Sequence, residues 1–263
     1  MRRTTVRSGG RWIMLPFPPL KEHAMPVREI AFRRHSLVTR LTHWVNVVAM
    51  TGLLMSGLQI LVAHPWLYWG EASGRAWLHI ANHGGNMAFP GWLLLPGVRD
   101  LATGRHWHFL FAWILVVNGF VYLVAALVTR HLTRDIVPSF TELSPRRLAT
   151  DLWHHLKLQF PTGEAARHYN SLQKIFYAGV ILFVVPLVVL TGLTMSPGFD
   201  AVAPWLLDLF GGRQSARSLH FIGVNLILLF VVAHLGALLA VGVWNELRSM
   251  ITGRYVIRVE EKS

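Results

Sequence analysis

The sequence predicts an all-α integral membrane protein, a bundle of four transmembrane helices with both termini in the cytoplasm. Three observations lead there. Of the 263 residues, 53% are hydrophobic and only 14% charged, against about a quarter charged in soluble domains. Four stretches, 41–62, 109–128, 175–195 and 219–241, are long and apolar enough to cross about 30 Å of hydrocarbon. The basic residues alternate with them: nine Lys and Arg fall in 1–40, seven in 129–174 and four beyond Trp244, but three in 63–106 and two in 196–217. Such alternation is the positive-inside pattern. It also excludes nucleic acid as the reason for the net charge of +12, because a nucleic-acid surface would not be interrupted by apolar spans.

The elements follow in order. Residues 1–30 hold Arg, Gly and Pro stretches without apolar periodicity and are expected to form a disordered, basic cytoplasmic tail. No apolar segment follows the charges as it would in a signal peptide. Organised sequence begins at "VREIAFRRHS", which makes Met25 an alternative start. The transmembrane domain covers 31–255, and 256–263 is a second tail. The outer loop 63–106 contains "MAFPGWLLLPG", too short to span and expected to lie in the outer interface or re-enter shallowly. Ser144 and Pro145 can start a surface helix to about Gln159, with Leu148, Leu152, Leu156 and Gln159 on one face. Pro186 is expected to kink the third span.

Histidine is the candidate ligand. The absence of Cys excludes iron–sulfur clusters, thiolate zinc sites and c-type haem attachment. Four of the 14 histidines fall in or at the ends of spans, where ionisable residues default to functional roles. His43 lies at the inner end of the first span, His108 opens the second and His220 opens the fourth, with His234 deeper. Fourteen residues of helix rise about 21 Å in nearly four turns, so His220 and His234 share a face at two membrane depths. His108 matches the depth of His220, and His43 that of His234. The expectation is two bis-histidine sites, each holding one haem b. Iron with two axial imidazoles has no open position and suits electron transfer rather than oxygen binding. His106, one step further out, competes with His108. His35, His64, His79, His83, His131, His154, His155 and His168 are expected to be solvated. Gly57 falls on the face of His43 near the outer site, and Gly119 on that of His108 near the inner one. Both suit clearance for a flat macrocycle, and equally close helix packing.

The stretches "RRHSLVTRLTHWVN", "RHWHFLFAW", "HYNSLQK" and "SARSLHFIGVNLILLFVVAH" resemble, in order, the di-haem cytochrome b subunits of membrane-bound bacterial oxidoreductases, such as those of formate dehydrogenase, nickel–iron hydrogenase and thiosulfate reductase. The nearest likeness is to those accompanying periplasmic molybdopterin oxidoreductases. The resemblance spans about Val27 to Tyr255. It implies a multi-pass protein of the bacterial inner membrane, with His43 and His234 on an inner haem and His108, favoured over His106, with His220 on an outer one. It further implies electron exchange between a periplasmic redox subunit and membrane quinone. The quinone would sit beside the inner haem at Asn170 of the Tyr169, Asn170, Gln173, Lys174 motif, although Leu172 replaces a glycine of the family. Haem propionates would call for cations, Arg40 at the inner site and Arg105 or Arg217 at the outer. The outer loop, with Trp66, Tyr68, Trp69 and Trp77, is where a partner is expected. Two other classes compete: a stand-alone haem b enzyme, such as a superoxide:quinone oxidoreductase, and a haem-free anchor or transporter.

Overall fold

A computed structural model describes residues 5–8, 11–14, 27–80, 89–97, 100–157, 159 and 169–260. Strands β1 (Thr5–Ser8) and β2 (Arg11–Met14) pair antiparallel. Strand β3 (Val27–Arg33) leads into α1 (Leu37–Ala63), which Ser36 caps by accepting the Thr39 N–H. The outer connection carries a short pair, β4 (Trp66–Leu67) and β5 (Leu78–His79), before α2 (Leu101–Val128), capped by Asp100. On the inner side lies α3 (Pro145–Leu156). The third span, Ser171–Thr194, is built from α4 (Ser171–Gly179), a π-helical turn Val180–Val184 and α5 (Val185–Thr194). Short helices α6 (Pro197–Val202) and α7 (Pro204–Leu209) lead to α8 (Arg213–Val241), followed by α9 (Val243–Thr252) and β6 (Arg254–Glu260).

Four helices are long and apolar enough to cross a membrane. Three begin four to eight residues before the expected spans and the fourth six residues before, because their first turns are polar yet still helical. His108 and His220 therefore sit two turns inside their helices rather than at the first residue. At Pro186 the missing N–H is absorbed by the π-helical turn just before it, a recognised way of accommodating a break in the hydrogen-bond ladder. The bundle is two helical hairpins. α1 packs along α2, and α5 along α8. Glycine permits the first contact: a Cβ on Gly52 would fall 2.3 Å from the Phe111 ring. Asn118 reinforces it, its Nδ2 donating to Thr42 O at 2.8 Å and to Asn46 Oδ1 at 2.6 Å.

The expected tails need correction at their junctions with the bundle. Val27–Arg33 pairs antiparallel with Arg254–Glu260, with Ile30 opposite Ile257 and Phe32 opposite Tyr255. Residues 27–30 and 256–260 thus belong to a two-stranded sheet, whose Tyr255 and Ile257 are buried. Arg34 locks it, donating to both carboxylate oxygens of Glu246 at 3.1 and 3.3 Å while lying 4.4 Å from the Tyr255 ring centre. The start of α1 and the end of α8 therefore share one end of the bundle, the end that the charge pattern leads us to expect on the inside, and inner and outer are used in that sense. The rest of the expected N-terminal tail, apart from the β1–β2 hairpin, and residues 81–88 of the outer loop lie outside the described residues, as do Arg99, His83, His168 and residues 261–263.

Gly52→Val is expected to force α1 off α2 and lower the thermal midpoint of the detergent-solubilised protein, at the roughly 1–3 kcal/mol typical of overpacking. Adding Phe111→Ala should recover part of that loss, measurable by differential scanning fluorimetry.

Candidate functional site: two depth-matched histidine pairs

The outer pair is formed. His108 of α2 and His220 of α8 bring their ring centroids to 6.2 Å, with planes at 61°. Each ring is held through Nδ1 by the other helix of its own hairpin. His220 Nδ1 lies 2.9 Å from Val188 O and 3.2 Å from Thr191 Oγ1, both on α5. His108 Nδ1 lies 3.1 Å from Ser56 Oγ on α1. Ser56 gives its own proton to Gly52 O at 2.6 Å, and Thr191 to Leu187 O at 2.7 Å, so both hydroxyls can accept from the imidazole. A carbonyl can only accept. The proton of His220 is accordingly on Nδ1, and the same tautomer satisfies His108. In both rings Nε2 keeps a free lone pair.

Glycine makes room for each ring. A Cβ on Gly57 would lie 3.5 Å from His108 Cε1, and one on Gly192 would lie 3.3 Å from His220 Cε1. The two hairpins thus repeat one device, a hydroxyl residue followed by glycine (Ser56–Gly57, Thr191–Gly192) beneath a histidine of the adjacent helix. The sequence reading found Gly57 but missed Gly192 and both hydroxyls; the repeated hydroxyl–Gly–Leu triplet was the available signal. Gly119 meets nothing within 4 Å, so among the described residues it is not a close helix contact.

The inner pair is His43 on α1 and His234 on α8, close enough for their imidazoles to interact electrostatically. Their neighbours are aromatic: Trp44 lies edge-on to His43 at 5.5 Å, and Phe230 stacks on His234 at 6.0 Å. Tyr177 meets Phe230 at 6.0 Å and Tyr169 at 5.3 Å, extending an aromatic row to the inner surface. Histidines stand in pairs; among the described residues no group of three His, Cys, Asp or Glu is set to hold a bare metal ion. Two imidazoles suit a group that brings its own equatorial donors. Two metal–imidazole bonds of about 2 Å, with about 1 Å from each Nε2 to its ring centre, add to roughly 6 Å, which matches the outer pair.

The remaining candidates divide. Arg105 and Arg217 both act electrostatically on His64, at the outer end of α1, so three basic side chains gather near the outer pair. Arg40 lies one turn from His43, and its buried Nε has no hydrogen-bond partner among the described residues. Asn170 is the N-cap of α4: its Oδ1 accepts the Gln173 N–H at 2.8 Å, and Gln173 Oε1 accepts the Asn170 N–H at 3.2 Å. Asn170 Nδ2 approaches His155 Nε2 at 3.4 Å, while His155 Nδ1 faces Asp151 O at 2.8 Å. Lys174 is tied to Glu142 at 2.9 Å. The Ser139 N–H, then Lys174, hold that carboxyl down to about 2. In the outer loop, Trp77 Nε1 donates to Ser218 Oγ at 2.9 Å, and Ser218 Oγ donates to Tyr68 O at 2.6 Å. Trp66 stacks on His79 at 3.6 Å and Trp69 on Trp77 at 5.7 Å. The loop is pinned to the first turns of α8 with its tryptophans half exposed.

Residues 34–253 match the prokaryotic cytochrome b561 family. The chain belongs to that family. A relative from Azospira oryzae, described as "Putative protein-methionine-sulfoxide reductase subunit YedZ1", is 32% identical over 195 residues, 74% of this chain and 84% of that protein. This cytochrome b561 family member is accordingly a multi-pass protein of the bacterial inner membrane, from a family that binds haem b and carries electrons across the bilayer.

One expectation about the other histidines is overturned. His35, taken as solvated, is partly buried where β3 meets α1. Burial, then Arg34, His131, His43 and Arg40, bring its pKa from 6.5 to about 4. A base with a folded pKa below its unfolded value stabilises the fold fully above about pH 6.5 and progressively less as pH falls toward 4. Amide exchange in β3 and β6 is therefore expected to accelerate between pH 7 and pH 4.5, and His35→Gln should flatten that dependence.

Proposed function

We propose that the protein carries electrons across the membrane through two b haems, the outer held by His108 and His220 and the inner by His43 and His234, between a periplasmic redox subunit and quinone. The observation that carries this reading is the outer pair: two imidazoles from different hairpins meet with ring centres 6.2 Å apart while both Nδ1 atoms are already bonded. A haem b, when bound, supplies a one-electron iron couple. The chain's residues do the rest. Nδ1 partners orient the imidazoles and raise their basicity, glycines keep the rings close to the adjacent helices, and apolar side chains exclude water. Arg40 at the inner end, and Arg105 and Arg217 at the outer, are proposed to pair with propionates through charge-assisted hydrogen bonds. The termini are proposed to lie in the cytoplasm, a reading supported by the basic residues that crowd that end.

Quinone is assigned to the inner end, at the α3–α4 junction. Asn170 spends its oxygen on the cap and one amide hydrogen on His155, which leaves its second hydrogen for a quinone carbonyl. The partner is proposed to dock on the outer loop at Trp66, Trp69 and Trp77. A relative described as a reductase subunit supports a partner chain, and a molybdopterin oxidoreductase is the class the sequence resemblance favours. The gathering of His64, Arg105 and Arg217 also suits a second reading, oxidation of a small anion such as superoxide without a partner. Quinone reduction by the isolated protein exposed to superoxide would distinguish it.

Pyridine haemochrome assay should return two haems b per chain. His234→Ala should retain one; retention of both, or fewer than two in the parent protein, would refute the pairing. Asn170→Asp preserves the cap but removes the amide donor, so it should slow oxidation of the reduced cytochrome by quinone analogues roughly tenfold, about 1.4 kcal/mol, with unchanged haem spectra.

A further inference from the structure

The two ends of the bundle treat their histidines differently. At the outer end both Nδ1 atoms meet oxygen acceptors anchored in helix backbone: Ser56 Oγ for His108, and Val188 O with Thr191 Oγ1 for His220. Ser56 and Thr191 are fully buried, so water does not compete for these bonds. At the inner end the rings of Trp44 and Phe230, which offer no comparable acceptor, stand beside His43 and His234, while His35 acts electrostatically on His43 and the Glu246 carboxylate on His234. An acceptor on Nδ1–H pushes electron density onto Nε2, and a more electron-rich axial ligand favours ferric over ferrous iron. Charge sets a separate offset between the ends, with Arg105 and Arg217 outside, and Arg40 and the Arg34–Glu246 ion pair inside. The ligand hydrogen bonds act on the outer site itself and lower its potential relative to the same site without them.

We propose that Ser56 and Thr191 are positioning residues that fix the imidazoles of His108 and His220 and lower the reduction potential of the outer haem. The proposal rests on the two-haem reading. Each ring also meets a backbone carbonyl beside its hydroxyl, Leu53 O for His108 and Val188 O for His220, so the two hydroxyls occupy equivalent places.

The test is spectroelectrochemistry of the purified holoprotein in parent, Ser56→Ala and Thr191→Val forms, with haem content measured in each. Two reduction waves are expected in the parent. Ser56→Ala and Thr191→Val should each move upward the wave that His220→Ala abolishes and leave in place the wave that His234→Ala abolishes. Loss of haem to an excess of apomyoglobin should accelerate about tenfold in Ser56→Ala, within the range for removal of an outer-shell partner. Two haems with unmoved waves, or a shift confined to the wave that His234→Ala abolishes, would overturn the proposal. Fewer than two haems in the parent would instead refute the two-haem reading on which it stands. If Ser56→Ala does not assemble, Thr191→Val, which preserves volume and the carbonyl bond, decides the sign alone.

Discussion

An imidazole enclosed by apolar helices has two nitrogens and must satisfy both, because an unpaired polar group in that setting costs several kcal/mol. In this protein the outer rings solve half of the problem inside their own hairpins. His220 reaches the Val188 carbonyl, and His108 reaches Ser56. Everything else at that end follows from these bonds. They fix the tautomer and hold the rings against two glycines: a Cβ on Gly192 would be tight at 3.3 Å, and one on Gly57 would make ordinary contact at 3.5 Å. Each hairpin thus presents one prepared imidazole, and the two meet at 6.2 Å.

α1 packs on α2 and α5 on α8, and the proposed ligands of each haem come from opposite hairpins, so the proposed haems would join the two halves. Direct links exist as well: β3 and β6 pair at the inner end, where Arg34 bonds Glu246, and Tyr122 and Ala126 of α2 join an apolar cluster with Tyr177 and Ala178 of α4. That sheet sets the start of α1 against the end of α8, which brings His43 and His234 to one depth. The outer end has a lesser clasp, the loop pinned by Ser215 and Ser218, with Gly70 N–H donating to Ser215 Oγ at 2.7 Å.

Much of this was legible in the sequence. A fourteen-residue spacing needs only helical geometry, and apolar length together with charge alternation gives the spans and their order. Helix starts were misjudged because hydropathy marks where a helix enters hydrocarbon, whereas Asp100 and Ser36 mark where it begins. The β3–β6 sheet was missed for a different reason. "VREIAFR" and "RYVIRVE" alternate only partly, are rich in charge, and have no local partner; their pairing spans the entire bundle. His35 looked like a loop residue because its burial comes from that long-range contact. Asn170 entered only through the family resemblance, and the capping box it forms with Gln173 is what the structure contains; a role toward quinone draws on the amide hydrogen left over.

Reconstitution into sealed vesicles tests the central claim most directly. With ferricyanide trapped inside and a membrane-impermeant reductant outside, two haems spanning the bilayer predict reduction of the enclosed ferricyanide. Reduction should be lost in His220→Ala and in His234→Ala alike. A fully haem-loaded protein that leaves the enclosed ferricyanide oxidised, or a His234→Ala variant that transfers at the parent rate, would contradict the account.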